Sequence, residues 1–334
     1  MSKNCTIALL GDVMLGRLIN DVLSHEPPEF PWGNTLSILK KADFRICNLE
    51  CAITDFTLPW TETYKVFHFR TDTKNIAALD IADINLVSLA NNHILDFRLW
   101  GMAETLKTLA VADISFAGAG MNIEEASMPV IFKINDLKFG FIAFTDNEPE
   151  WEATKTKAGL LFAVVDLEDE RAKFLLKKIE EAKKAVDFLI VSAHWGPNWS
   201  YFPPPEQIPF AHALIDAGAD LIFGHSAHVF RGIEFYRDRP ILYSCGDFID
   251  DYAVDPDQRN DESFIFLLQI ENGKTKSLQL IPTVIETFQA KLPEKEERFV
   301  IVNKMKELCA HFGTSAEWNS EKLVLEVRSH GSKG

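Results

Sequence analysis

The stretch Leu86-Val87-Ser88-Leu89-Ala90-Asn91-Asn92-His93 joins a short apolar run to a group of polar side chains, and this arrangement decides the fold. The apolar half does not alternate cleanly with polar residues, which is typical of a strand buried on both faces. The polar half brings amide and imidazole groups to the point where that strand ends. Five further apolar runs end in the same way, at Gly11-Asp12, Asn48-Leu49-Glu50, His194-Trp195-Gly196, Gly224-His225-Ser226-Ala227-His228 and Gly246-Asp247.

The segments between these runs have the periodicity of helices. Apolar residues recur at helical spacing in residues 99–109, 166–187 and 205–217, and Gly218 is suited to cap the third segment. Strands that alternate with helices predict an α/β fold with at least one largely parallel sheet. The strands are expected at residues 6–10, 44–48, 84–89, 139–144, 188–193, 220–223 and 240–243.

The last part of the chain has a different pattern. Asn272-Gly273 lies between two apolar runs, which is a strong signal for a β-hairpin. Beyond about residue 287 the composition becomes more charged, and then a helix is expected at 299–312 and a strand at 322–327. We therefore predict a main domain over residues 1–286 and a C-terminal α/β tail over residues 287–334 that packs on it.

The composition limits the classes of function. The chain of 334 residues is 47% hydrophobic and has a formal net charge of −15, so it can bury a sizeable core and repels nucleic acid. Its first apolar run is too short for a signal peptide, and no window is long enough for a membrane helix. An odd number of cysteines, five, favours reduced thiols. We therefore expect a cytoplasmic protein with neither nucleic-acid nor membrane partners.

The polar strand ends predict one metal site. The carboxyl ends of the strands form the ligand crevice of open α/β sheets, so side chains delivered there converge. Asp, Glu, Asn and His offer oxygen and nitrogen atoms, which suit Mn²⁺, Fe²⁺ or Zn²⁺. Six or more candidate ligands exceed the need of one tetrahedral ion, whereas a centre with two divalent ions would use them all.

Such a centre is typical of hydrolases, because bound metal ions lower the pKa of a water and neutralise charge on the oxygen under attack. His93 is the best placed residue to protonate a leaving group. Each residue taken alone has a simpler interpretation: an Asp after a strand is more often a helix N-cap, and a buried His is more often only hydrogen-bonded. The recurrence of His at three of the six strand ends favours the metal site.

The polar strand ends belong to longer blocks. These blocks are Gly11-Asp12-Val13-Met14-Leu15-Gly16-Arg17, Asn48-Leu49-Glu50, Phe67-His68-Phe69-Arg70, residues 88–96, Gly118-Ala119-Gly120, His194-Trp195-Gly196, residues 224–229 and residues 243–248. From about residue 5 to residue 250 they resemble, in order, the CapA-type poly-γ-glutamate capsule biosynthesis proteins. That family lies in the calcineurin-like metallophosphatase superfamily, so the resemblance implies a four-layer αββα sandwich, the metallo-dependent phosphatase-like fold, with a dinuclear site between its sheets.

The resemblance also implies roles for individual residues. His93 would be the general acid beside the metals, and Asp96 would either orient it or cap the following helix. The metal ligands implied by the resemblance are Asp12, Glu50, Asn92, His194, His225 and His228.

The sequence departs from the superfamily pattern at several positions. Met14 stands where the superfamily has His, and a thioether is a poor ligand for hard or borderline ions, so one metal position is expected to be weak or empty. Glu50 replaces a bridging Asp. Ser226 stands where many relatives have His, and Asp247 stands where many have Asn.

Three arginines are candidate ligands for an anion, because Arg pairs in a bidentate manner with phosphate or carboxylate. Arg17, Arg70 and Arg231 are expected at the substrate, although a solvated surface side chain is an equally good interpretation of each. We therefore predict a metal-dependent hydrolase of the phosphoesterase type that acts on a small or oligomeric anionic substrate. Two alternatives stay open: an accessory protein of poly-γ-glutamate synthesis or processing that acts on amide-linked glutamate, and a non-catalytic ligand-binding protein with a degenerate site.

Overall fold

The computed structural model describes residues 4–329. The β-strands are β1 (Asn4–Val13), β2 (Phe44–Leu49), β3 (Ala52–Ile53), β4 (Arg70–Thr71), β5 (Leu86–Ser88), β6 (Ser115–Ala117), β7 (Ala119–Gly120), β8 (Val130–Ile134), β9 (Leu137–Thr145), β10 (Gly159–Leu160), β11 (Phe188–His194), β12 (Leu221–His225), β13 (Ile233–Tyr236), β14 (Arg239–Leu242), β15 (Asp247–Ile249), β16 (Glu262–Glu271), β17 (Lys274–Glu286), β18 (Gln289–Lys291), β19 (Ser315–Asn319) and β20 (Val324–Arg328). The α-helices are α1 (Arg17–Val22), α2 (Leu36–Leu39), α3 (Ile76–Ile81), α4 (Arg98–Val111), α5 (Ile123–Ala126), α6 (Glu170–Lys183), α7 (Gln207–Asp216) and α8 (Lys295–Ala310).

Two large sheets organise these strands. The first has the order β19-β20-β17-β16-β1-β2-β5-β6, with β15 paired to β1 and β18 paired to β17. The second has the order β13-β14-β12-β11-β9-β8. Strands β1, β2, β5 and β6 run parallel in the first sheet, as do β9, β11, β12 and β14 in the second, so each sheet has a parallel centre.

Three apolar layers separate the sheets and helices. Along β1, Ile7 and Leu9 pack in the inner core between the two sheets, whereas Ala8 and Leu10 pack on the opposite face. That opposite face is covered by α3 and α4, and the outer face of the second sheet is covered by α6 and α7. Successive side chains of a strand point to opposite faces, so the unbroken apolar run serves both layers. The predicted α/β fold and four-layer αββα sandwich are confirmed.

The late hairpin forms as the sequence predicts. Strands β16 and β17 pair in antiparallel register around Asn272-Gly273, and both turn residues have positive φ, 53° and 72°. A two-residue turn with positive φ at both positions matches the right-handed twist of the strands that it joins, and Asn-Gly suits these angles.

Residues after Glu286 extend the first sheet. Strands β18 and β20 pair with β17, and α8 contacts both β17 and β13. The α8 side chains Ile301, Met305 and Leu308 are buried in the inner core. The helix therefore closes one side of the sandwich, while the division at residue 286 stays a prediction and residues 330–334 of the predicted tail lie outside the described residues. Between residues 4 and 329, no helix combines the length and apolar character needed to cross a bilayer.

Candidate metal centre and cavity

The two sheets meet where their parallel strands end, and each sheet contributes to one polar cluster. In the first sheet, β1 carries Asp12, and Glu50 and Asn92 follow β2 and β5. In the second sheet, β11 and β12 end on His194 and His225. The cluster thus lies between two sheets, because each sheet supplies only some of the strand ends.

A close backbone approach holds β1 beside the turn before β15. The Asp12 backbone N–H donates to the Gly246 carbonyl at 2.9 Å, and Asp12 lies opposite Asp247 in parallel register. A Cβ atom at Gly11 would lie 1.8 Å from the Gly246 carbonyl oxygen. Only glycine at position 11 permits this approach, and the approach brings two acidic residues side by side.

The centre of the cluster is formed by Asp12, Glu50 and His228. One potential ligand atom from each lies within 4.8 Å of the others. The Asn48 amide donates to Asp12 Oδ1 at 2.8 Å and to Glu50 Oε2 at 3.0 Å, and Asn48 Oδ1 accepts from Asn91 at 3.0 Å. These hydrogen bonds hold one oxygen of the Asp12 carboxylate and one of the Glu50 carboxylate, and they leave the other oxygen of each available for a ligand.

Several buried polar atoms around this centre have no hydrogen-bond partner. A buried polar atom without a partner costs about 1–3 kcal/mol, so a group of them indicates a missing ligand. Oxygen and imidazole nitrogen atoms are the donors that divalent transition metals prefer, so the residues fit metal ions. The atoms are Asp12 Oδ2, Glu50 Oε1, Asn92 Oδ1, His194 Nδ1, both ring nitrogens of His225, and Asp247 Oδ2.

The electrostatics of the cluster also favour cations. Burial raises the pKa of Glu50 well above its usual range, and the Asp12 charge raises it further. Burial acts to raise the pKa of Asp12 as well, but His225, whose Nδ1 lies 3.1 Å from Asp12 Oδ1, outweighs burial and holds that pKa below its usual range. Burial lowers the pKa of His194 to about 3 and also lowers that of His228. The His194 and His228 imidazoles are therefore neutral, the state in which imidazoles bind metals.

His93 and Asp96 form a dyad next to the centre. His93 Nδ1 lies 2.6 Å from Asp96 Oδ2, and the Phe69 backbone N–H donates to the same oxygen at 2.6 Å. The His93 ring stacks on Phe69 with centroids 4.0 Å apart, and its Nε2 is 3.9 Å from Glu50 Oε1. Helix α4 begins without a side-chain cap. Of the two expected roles for Asp96, the structure places it at His93 and not at the helix end.

His228 and Asp247 form a second His–Asp contact at the cluster. His228 Nδ1 is 3.0 Å from Asp247 Oδ1. Asp247 is fully buried, and burial followed by the charges of Asp250 and Asp12 raises its pKa well above the usual range. A carboxylate that holds one ring nitrogen fixes the tautomer and leaves the other nitrogen for a metal.

A cavity of about 540 Å³ opens above the cluster and is lined in part by Asn92, His93 and His228. Its walls are largely aromatic. Arg17 also lines it, with Nε 3.2 Å from Asp251 Oδ2 and the guanidinium 5.5 Å from the centroid of the Phe69 ring. The aromatic residues of the wall are Tyr64, Phe67, Phe69, Trp199 and Tyr252.

The other two candidate arginines are not among the residues that line this cavity. Arg70 donates to the Thr54 carbonyl and pairs with Asp72. Arg231 is fully buried and donates to the carbonyls of Trp199 and Ser200. Both guanidiniums donate to backbone carbonyls, and Arg231 supports a loop beside the cavity. Substrate contacts of Arg70 and Arg231 stay a prediction.

The structure adds residues to the site that the sequence did not single out. Asn48 and Asn91 were visible as polar strand ends, and Asp250 to Tyr252 directly follow the block that ends at Phe248. Lys65 had no such signal, because it lies in an irregular segment between β3 and β4. Met14 is buried with the helix-side core, and its Sδ accepts a hydrogen bond from the Gly16 N–H at 3.0 Å.

Comparisons with known proteins identify the family of this chain. Residues 6–252 match the family described as bacterial capsule synthesis protein PGA_cap, and this span contains every expected metal ligand and the dyad. A probable polyglutamine synthesis accessory protein of Mycobacterium tuberculosis is 30% identical over 96% of this chain and 95% of its own length. The capsule biosynthesis protein CapA of Bacillus anthracis is 26% identical, over 98% of this chain and 78% of its own length.

Two further similarities extend this result. The PGA biosynthesis protein CapA of Bacillus subtilis is 29% identical over 98% of this chain and 83% of its own length. The crystal structure of a novel phosphatase from Mycoplasma pneumoniae superposes with a TM-score of 0.54 at 15% identity, over 90% of this chain and 100% of that chain, which shows a shared fold. The chain therefore belongs to the PGA_cap family of bacterial capsule synthesis proteins, the CapA-type family.

Proposed function

We propose that this protein is a metal-dependent hydrolase with phosphoesterase-type chemistry. One observation carries the proposal: buried oxygen and nitrogen atoms without partners surround Asp12, Glu50 and His228, directly beside a His–Asp dyad on the wall of a cavity. Structural carboxylates and imidazoles are normally hydrogen-bonded when buried, so this arrangement favours a site for cations and chemistry.

The residues divide into two groups by role. Asp12, Glu50, Asn92, His194, His225 and His228 would hold the metal ions, which we propose to be two divalent ions of Mn, Fe or Zn. When bound, such ions would activate a water and neutralise charge on the attacked group. His93 has Nδ1 committed to Asp96, so Nε2 is the nitrogen that can deliver a proton to a leaving group at the cavity. Arg17 is the one candidate arginine placed to contact an anionic substrate.

The first experiment combines metal analysis with turnover. We expect about two ions per chain in protein purified without chelator, and hydrolysis of generic phosphomonoesters or diesters by that protein. Asp12→Ala and His225→Ala should lose metal and activity. His212→Ala is the matched control, because His212 bonds to Glu234 away from the cluster and should retain both. Folded protein that takes up no metal, or metal-loaded protein that cleaves no phosphoester, would refute the proposal.

A second candidate function rests on the names of the relatives. Three of them are described as proteins of polyglutamine, capsule or PGA synthesis, so this chain could serve as an accessory protein that acts on amide-linked glutamate. Release of glutamate from poly-γ-glutamate by the metal-loaded protein would support this function. Ligand-induced thermal stabilisation without any turnover would instead indicate a binding protein. The cytoplasmic localisation stays a prediction, which cell fractionation tests.

A further inference from the structure

Lys65 lines the cavity with its side chain buried, although the residues on either side of it in the chain are largely exposed. The segment of residues 54–69 connects β3 to β4, and in it Tyr64 is 93% exposed and Val66 is 62% exposed. Between them, the Lys65 side chain is only 6% exposed. Lysine is seldom buried unless its charge is paired, so the contacts of this ammonium group need an explanation.

The Lys65 ammonium contacts three oxygen atoms. Nζ lies 2.6 Å from the Asn92 carbonyl oxygen, 3.1 Å from Glu148 Oε1 and 3.4 Å from Asp96 Oδ1. It also lies 5.1 Å from the centroid of the Trp151 ring. Two of the three ammonium protons donate to Asn92 and Glu148, and Asp96 Oδ1 lies at ion-pair distance, which leaves little capacity for a substrate anion.

These contacts converge on the His93–Asp96 dyad. Asp96 Oδ2 binds His93 and the Phe69 N–H, whereas Asp96 Oδ1 is buried without a hydrogen bond, and Lys65 is the cation beside it. The second Lys65 contact, the Asn92 carbonyl, belongs to the residue directly before His93. Lys65 thus restrains the dyad at two points, the Asp96 carboxylate and the backbone carbonyl of Asn92.

The third contact joins the two halves of the sandwich. Glu148 follows β9 of the second sheet, whereas Asp96 follows β5 of the first sheet. Lys65 therefore connects loops from both sheets at the cavity wall. We propose that Lys65 is a positioning residue that holds the His93–Asp96 dyad in the geometry required to protonate a leaving group. This inference rests on the proposed function, because it takes His93 to be the general acid.

The role predicts a dependence on the leaving group. A general acid contributes most when the leaving group is a poor one, and its loss typically costs about 10²–10⁴ in rate. In Lys65→Met, we expect kcat for alkyl phosphoesters to fall roughly 10- to 100-fold, since the acid is misplaced but still present. The kcat for nitrophenyl phosphoesters and KM for both classes should change by less than about 3-fold, since nitrophenolate leaves without protonation.

Two variants control this experiment. Lys65→Arg keeps the charge and should recover most of the alkyl-ester activity. Lys157→Met removes an exposed lysine that contacts the Glu150 carbonyl outside the cavity, and it should behave like the wild-type protein. An equal loss for every leaving group, a rise in KM alone, or no change would overturn the positioning role.

A second readout does not depend on turnover. The ¹⁵N shifts of the His93 ring in zinc-loaded protein, assigned with His93→Gln, report which nitrogen carries the proton. When the ring is neutral, we expect the proton to lie on Nδ1 in the wild-type protein, which leaves Nε2 as the nitrogen that takes up and then delivers the catalytic proton. In Lys65→Met we expect a mixture of the two neutral tautomers. An unchanged tautomer in Lys65→Met would refute the inference even if the protein is a hydrolase. A shifted tautomer in a protein that cleaves no phosphoester would refute only the proposed function.

Discussion

Met14 follows Asp12 by two residues, yet its side chain packs with Leu15 and Ile19 in the helix-side core, between the first sheet and its helices. Its sulfur accepts the Gly16 N–H, which gives the thioether a structural partner. We expect Met14→Leu to retain the full metal content and activity of the wild-type protein. The free energy of unfolding should fall by about 1 kcal/mol, because the Gly16 N–H loses its acceptor while the apolar volume is conserved. Elemental analysis and denaturant unfolding test this, and loss of metal would show that Met14 is a ligand.

Asp247 has opposite effects on metal binding and on the metal-free fold. Its carboxylate holds His228 but is buried near Asp12 and Asp250. We expect Asp247→Asn to weaken metal affinity by about 10- to 100-fold, as other losses of a carboxylate partner do. The same variant should raise the melting temperature of metal-free protein at pH 8, because a buried carboxyl group with a raised pKa destabilises the folded state at that pH and a neutral amide does not.

Calorimetric titration with Mn²⁺ and thermal unfolding in chelator measure the two effects. Asp216→Asn is the control, since Asp216 is an exposed residue paired with Arg237. Equal metal affinity in Asp247→Asn and the wild-type protein would show that the contact between Asp247 and His228 does not support the site.

At the scale of elements, the contact between β1 and the turn before β15 aligns two acidic residues. Gly11→Ala places a Cβ against the Gly246 carbonyl, so we expect loss of metal and a strong loss of stability. Gly273→Ala is a matched control at a hairpin turn, where the nearest atom would be 3.5 Å away but φ is +72°. It should cost about 1 kcal/mol and leave metal content unchanged. Metal binding by a folded Gly11→Ala protein would contradict this account.

The sequence predicted the elements that combine an apolar run with a polar end. Strands β11 and β12 are continuous apolar runs that end on His, and both signals are local. Strand β8 was missed because it alternates exposed and partly buried residues at a sheet edge, and β15 was missed because it has three residues. Short and edge strands form through pairing with distant partners, which a local pattern does not contain.

The same limit explains which site residues were found. His194 and His225 follow strands and could be predicted, whereas Lys65 depends on where an irregular segment folds back. Arg231 is of a residue type that often binds anionic substrates, but its side chain donates to the Trp199 and Ser200 carbonyls, some thirty positions earlier in the chain. Residue type alone therefore did not separate Arg17, which lines the cavity, from Arg231, which lies beneath a loop.

At the scale of the whole molecule, buried carboxyl groups make the metal-free protein sensitive to pH. Burial raises the pKa of Asp96 and of Asp250 to about 7, and it raises the pKa of Glu50 well above its usual range. In the unfolded chain such groups lose their protons near about pH 4, so around neutral pH the folded state binds more protons. Its stability must then fall as pH rises, by about 1.4 kcal/mol per pH unit for each extra proton.

We therefore expect the melting temperature of chelator-treated protein to fall between pH 6.5 and pH 8. The buried histidines do not offset this trend, because in the unfolded chain they are already largely neutral above about pH 6.5. Added Mn²⁺ or Zn²⁺ should flatten the dependence, since cations compensate the carboxylates. A melting temperature that rises over this range without metal would refute the assignment of protons to these carboxyl groups.

The division of the cluster between two sheets has a thermodynamic consequence. Asp12 and Glu50 belong to the first sheet, and His194 and His225 belong to the second, so an ion shared by them would act as a cross-link between layers. Its binding free energy would add to the free energy that docks one sheet on the other, because the docked state alone presents the full donor set. Metal supply would then set the rate at which the layers separate, and amide hydrogen exchange in β2 and β12 should slow together on metal addition.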